Sequence, residues 1–193
     1  MPAKPKPAAA IASKYPQYIR DGFRPMLPAH ELFLDEHKGV KPLVVEDKSL
    51  GTICCAVVPG SGPVVAMQRP RGGALSLWAF PKGHPDAGES DVEGAVRETL
   101  EEIGIDVKRY VKKDFRVRTA YSFAEFMHKD AWKRHTDYAN ESKLPVCVFH
   151  KHVIYFLAVL PKALALTPQE EEVEQAAWIP LSEVKDITHP QMC

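Results

Sequence analysis

Residues 83–105 constrain this chain more than any other stretch, because they specify a loop, a capped helix and a stop in one continuous run. They read Gly-His-Pro-Asp-Ala-Gly-Glu-Ser-Asp-Val-Glu-Gly-Ala-Val-Arg-Glu-Thr-Leu-Glu-Glu-Ile-Gly-Ile. Ser90 followed three residues later by Glu93 is a capping-box pattern, in which each side chain satisfies a backbone N–H of the other residue. A helix is therefore predicted from Asp91. Val92, Ala95, Val96, Thr99, Leu100 and Ile103 recur at helical spacing and form one inward face. Gly104 stands where a left-handed C-terminal cap is wanted. At about 100° per residue, Glu98, Glu101 and Glu102 fall on a sector away from that face.

Three carboxylates so close repel one another unless positive charge lies among them. Arg97 can reach Glu93 and Glu101 along the helix, but one guanidinium cannot satisfy the whole cluster. Oxygen-only donors suit Mg²⁺ or Mn²⁺, which keep waters and bind phosphates. The plainer reading of a Glu-rich helix is a solvated charged face. Glu89, the glycines and the cap favour the specialised loop-helix instead.

Composition narrows the classes. The chain has 193 residues, with 25 basic and 25 acidic side chains. That is enough for one core, and the balance exerts no global pull toward nucleic acid or membrane. No apolar run reaches the length of a membrane span. Cys54, Cys55, Cys147 and Cys193 lack zinc spacing, and free thiols fit a reducing, cytoplasmic setting. Residues 1–20 carry Lys4, Lys6, Lys14 and Arg20 with no acid. This suits a disordered tail or a mitochondrial transit peptide; its prolines favour the tail.

Residues 21–50 read as polar and irregular, with a short helix near 28–37. Strands are expected over 52–58, 63–69, 107–121, 146–160 and 173–179, with a short helix opening at Leu181. Strands around a central helix indicate an α/β sandwich over a mixed sheet.

Gly83, Gly88-Glu89, Arg97-Glu98, Glu101-Glu102 and Gly104 stand at the spacing of the Nudix hydrolase signature, and the chain resembles that family. The run Leu77-Trp78-Ala79-Phe80-Pro81-Lys82-Gly83-His84 is similar to its asymmetric diadenosine tetraphosphate hydrolase branch. So are Thr99, residues 151–158 and residues 172–178. The likeness spans roughly residues 50–186. It implies a Nudix-type α/β/α sandwich with a catalytic loop-helix-loop. The domain expected is 46–193, after an N-terminal extension of 1–45. Two departures stand out: Ala176 lies where nucleotide-binding members often have tyrosine, and an insertion is expected near 125–145.

The resemblance also implies roles. Glu98 and Glu102 would be the principal metal ligands, Glu101 a further one, and the Gly83 carbonyl part of the shell around Mg²⁺ or Mn²⁺. Glu89 would act through water, and Arg97 would organise the carboxylates. Glu172 aligns with a distal base, with Glu171 and Glu174 as competitors. Lys82 and His84 flank the loop glycine and could contact phosphate; Tyr155 could stack on a base, or be core.

The substrate implied is a nucleoside polyphosphate, with diadenosine tetraphosphate cleaved to ATP and AMP. Other readings are RNA 5′-pyrophosphohydrolase, diphosphoinositol polyphosphate hydrolase, and a binding subunit that kept the fold without the chemistry. The insertion carries Lys129, Lys133, Arg134 and His135 with Phe126, Trp132 and Tyr138. It reads either as a grip on nucleotide or RNA, or as an amphipathic helix with solvated charges. The sequence does not specify an oligomeric state.

Overall fold

A computed structural model describes residues 13–71, 77–127 and 144–188. Most of the 125–145 insertion, Gly72-Gly73 and the ends of the chain lie outside them. The elements in order are α1 (Pro28–Glu36), β1 (Leu43–Val58), β2 (Gly62–Pro70), β3 (Lys82–Gly83), α2 (Asp91–Ile103), β4 (Val111–Phe126), β5 (Val146–Val159), β6 (Val173–Pro180) and α3 (Val184–Ile187). The strands form one six-stranded sheet in the order β4-β5-β1-β2-β6, with β3 paired to β1. The α/β class expected from the sequence is the class observed.

The turn at Pro59-Gly60-Ser61 folds β1 back on β2, so that Val58 faces Gly62 and Cys55 faces Val65. β6 returns antiparallel to β2, with Val65 opposite Ile179 and Gln68 opposite Ala176. β1 begins at Leu43, well before the expected start. Glu46, Asp47 and Lys48 have weak strand propensity, and tertiary pairing overrides it. β4 likewise starts after a turn at 108–110 rather than at Val107.

Two compact units divide the chain. One comprises Glu46–Ala120 and Lys151–Cys193. Its larger core gathers Cys54, Ala56, Val64, Ala66, Ile103, Ile105 and Val107, and a second cluster joins Leu50, Ala95, Ile154 and Phe156. The other unit comprises Met1–Val45 and Tyr121–His150. Met26 and Leu34 pack there against Ala124, Val146 and Val148.

Helix α2 buries a face different in part from the one expected. Ala95, Thr99 and Ile103 are inside as predicted, but Leu100 is 48% exposed. Its place is taken by Glu102, for a reason that belongs to the site. Thr99 is buried because its hydroxyl has two partners, the Ala95 carbonyl and the Thr52 hydroxyl of β1, each at 2.7 Å. Among the described residues no helix is long and apolar enough to cross a membrane.

Candidate active site

The loop into α2 is held by the predicted cap. Ser90 N–H donates to Glu93 Oε2 at 3.0 Å, and Glu93 N–H donates to Ser90 Oγ at 3.4 Å. Gly104 closes the other end at φ 75°, donating its N–H to the Leu100 carbonyl. With both ends fixed, the polar face of α2 has a defined direction.

Arg97 is the hub of that face. Its Nε and Nη2 reach Glu89 Oε1 and Oε2 at 2.8 and 3.0 Å, a bidentate pair. Its Nη1 donates to Glu98 and to Glu101, both at 2.8 Å, and Nη2 also donates to the His84 carbonyl. The expected contact with Glu101 exists. The expected contact with Glu93 does not, since Glu93 is committed to the cap. The Arg97 hydrogen bond, with help from the Asp86 N–H, holds the Glu89 carboxyl below its ordinary range. Glu89, foremost among the surrounding carboxylates, in turn stabilises the charged guanidinium.

Glu98 and Glu102 sit in a different environment from Glu89. Burial raises the Glu98 carboxyl despite the adjoining Arg97. Glu102 is only 7% exposed, and burial pushes it up to about 7. The placement of Glu102 on a solvent sector is therefore corrected. Its carboxylate turns back under the loop, accepting the Lys82 N–H at 2.5 Å and a bond from the buried Gln68 side chain. Helical angle alone could not show this, because the burying groups come from β3 and β2.

The loop before β6 completes the arrangement. Thr167 and Gln169 donate backbone N–H to the carbonyls of Ile103 and Glu102, satisfying orphan acceptors at the end of α2. Glu172 is thereby carried to the carboxylates. A cavity of about 280 Å³ is lined by Gly83, His84, Asp86, Arg97, Glu98, Glu101, Gln169 and Glu172. A Cβ at residue 83 would collide with the Glu98 carboxylate, so glycine there leaves Glu98 its present rotamer.

The remaining sequence candidates divide. His84 lines the cavity, and its Nε2 lies 2.8 Å from Asp47 Oδ1. Lys82 contributes its backbone N–H to Glu102. Tyr155 is buried at 4% exposure, its ring edge-on to Phe80 at 5.6 Å, which is the core alternative and not an exposed stacking platform. Glu174 pairs with Arg69 at 2.9 Å. Sequence reasoning missed Asp47, Gln68 and Gln169. Only the alternation of polar and apolar residues through β1 and β2 could have marked the first two.

Among the described residues, no three His, Cys, Asp or Glu side chains stand together as a ready metal shell. Arg97 draws Glu98 and Glu101 to itself, while Glu102 bonds elsewhere. The donor set nevertheless fits a hard divalent cation: oxygen donors only, with the buried Glu102 and the half-buried Glu98 carrying desolvation that a positive ion would offset. The arrangement can hold cationic charge beside a polar cavity large enough for part of a phosphate chain.

The family model described as NUDIX domain matches residues 48–192. Over 148 residues the chain is 30% identical to the mRNA-decapping protein g5R of African swine fever virus (isolate Pig/Kenya/KEN-50/1950), covering 70% of this chain and 50% of that protein. Over 34 residues it is 53% identical to bis(5'-nucleosyl)-tetraphosphatase (asymmetrical) of Rattus norvegicus, covering 18% of this chain and 23% of that enzyme. The alignments thus span half of the viral relative and under a quarter of the rat one. The crystal structure of a C. elegans Ap4A hydrolase binary complex has a TM-score of 0.53 and 22% identity, covering 76% of this chain and 89% of that one. That likeness shows the fold.

Proposed function

The chain belongs to the Nudix family, and on that premise we propose that it is a divalent-metal-dependent hydrolase of a phosphoanhydride bond in a nucleoside polyphosphate, diadenosine tetraphosphate to ATP and AMP being the leading substrate. The observation that carries this reading is the convergence of Glu98, Glu101, Gly83 and Glu172 on one cavity, with Glu102 buried beneath it. The 34-residue likeness to the rat tetraphosphatase falls in with it.

Glu98, Glu101 and Glu102, with the Gly83 carbonyl, would hold Mg²⁺ or Mn²⁺. That ion supplies neutralisation of phosphate charge and an acidified water. The chain's own residues do the rest. Arg97 sets the rotamers of Glu98 and Glu101, and Glu89 anchors Arg97 from the other side. Glu172, exposed on the cavity wall, accepts the proton from the attacking water. His84 and Lys82 meet phosphate oxygens at the loop, where backbone and side-chain donors oppose dense negative charge.

A second reading, removal of phosphates from an RNA 5′ end, is supported by the 30% identity to the viral mRNA-decapping protein. One experiment separates them. Products are measured with Mg²⁺ on dinucleoside polyphosphates, 5′-triphosphate RNA, capped RNA and diphosphoinositol phosphates. ATP and AMP from diadenosine tetraphosphate, at a kcat/KM above that for every RNA, is the expected result. Release of nothing from any substrate sinks the hydrolytic reading.

A further inference from the structure

We propose that the edge strand β4 is a binding strip for single-stranded nucleic acid, running along residues 108–118. The strip is independent of the hydrolytic reading.

Strand β4 stands at one end of the sheet order, with β5 as its partner. Residues 112–118 are exposed without exception, so both faces of this half-strand are bare. A strand that buries no side chains gains little from its own residues, and their chemistry is open to another use. Across 108–118 there are six cations (Lys108, Arg109, Lys112, Lys113, Arg116 and Arg118) and a single acid, Asp114. The chain as a whole has no net charge. The excess is therefore local. Among the described residues Lys112, Lys113, Arg116 and Arg118 make no ion pair or side-chain hydrogen bond.

Charged edge strands often serve only to stop sheets pairing edge to edge. Either sign would do that, and mixed signs would do it as well; a nearly uniform positive run calls for a polyanion. Successive residues alternate between faces. Lys112, Arg116 and Arg118 therefore share one face with Asp114, while Lys113 shares the other with Phe115 and Val117. Phe115 is 53% exposed. On one face Arg116 and Arg118 are about 6.6 Å apart and Lys112 about 13 Å from Arg116, at 3.3 Å per residue, spacings of one and two steps that suit a backbone of repeating phosphates. Phe115 offers a ring on which a base can stack.

The two faces also argue against other occupants. A flat lipid surface meets one face at a time, either charge without apolar anchors or apolar groups with one lysine. A flexible single strand lying along the open edge reaches the cations of one face and the Phe115 ring of the other. A second copy of the strand, paired antiparallel about Phe115, would set Lys112 against Arg118 twice, a like-charge cost that the two Asp114–Arg116 pairs only partly offset.

The test is anisotropy of a labelled, short 5′-hydroxyl oligoadenylate in EDTA, titrated with the full chain at rising salt. No hydrolysable end or metal is present, so the outcome does not depend on catalysis. For three phosphate contacts the slope of log K against log salt is expected near −2, at about −0.7 per contact. The variant K112A/R116A/R118A should flatten that slope and weaken binding more than about tenfold at low salt. Phe115→Ala should weaken binding by about fivefold or more and leave the slope intact. All variants should keep wild-type melting temperature and wild-type turnover of small polyphosphates. Absence of binding by the wild type overturns the proposal. So does a triple variant with unchanged slope, or equal loss of binding to phosphatidylserine vesicles, which would make the strip a general anion surface.

Discussion

Gly83 and Glu98 share one space: the carboxylate of Glu98 fills the position that a side chain on residue 83 would need. Gly83→Ala must therefore displace Glu98. We expect kcat/KM to fall by about 100-fold, the scale of an ångström-sized misplacement, while the melting temperature changes little. Wild-type turnover in this variant would remove Glu98 from the ligand set.

Arg97→Lys is a severe change here. One ammonium cannot bond Glu89 through two parallel donors while also serving Glu98, Glu101 and the His84 carbonyl. Loss of about 1–3 kcal/mol in stability is expected, the scale for buried or charged hydrogen bonds left unmade. Activity should fall with it. Chemical denaturation and steady-state kinetics on the same preparation measure both.

Glu172 and Glu174 can be told apart by kinetics. Glu172 lines the cavity, whereas Glu174 is paired with Arg69. Glu172→Gln should reduce kcat by 10² to 10⁴, roughly the worth of a positioned base, with KM nearly unchanged. Glu174→Gln should leave kcat alone. The reverse pattern would move the proton acceptor to Glu174.

Thr99→Val removes a hydroxyl that bridges α2 and β1 and leaves Thr52 with the weaker Cys54 sulfur contact. A cost of about 1–2 kcal/mol is expected. Thr52→Val in the same molecule should recover part of it, since both buried partners are then gone. A double-mutant cycle by urea unfolding checks the coupling.

Asp47 makes the fold acid-sensitive. Burial alone would raise its carboxyl, but hydrogen bonds from His84 and from Lys151 at 2.6 Å, with the Lys151 charge, bring it down to about 2. A depressed carboxyl stabilises the folded state above its ordinary pKa of 3.8 and loses that contribution as pH falls toward 2. Asp47→Asn should flatten the melting temperature over that window. An unchanged acid limb in the variant would mean the Lys151 pair contributes nothing.

Much of this was legible in the chain. The Ser90-Glu93 cap, the Gly104 stop and the hairpin turn at 59–61 are local, since each is settled by atoms a few residues apart. Glu98, Glu101 and Arg97 could be grouped because helical spacing is fixed. The β1 start and the burial of Glu102 could not be read, because both depend on partners distant in sequence. Leu100 and Glu102 exchanged their expected environments for the same reason.

By itself, then, the sequence determined the loop, the capped helix, the carboxylate set and the α/β class, all products of short-range geometry and a Nudix-spaced motif. Tertiary structure alone decided which carboxylates are buried and that Glu172 reaches the cavity. Those outcomes rest on desolvation and on hydrogen bonds from β2, β3 and the 167–172 loop. Neither quantity is a property of any one segment.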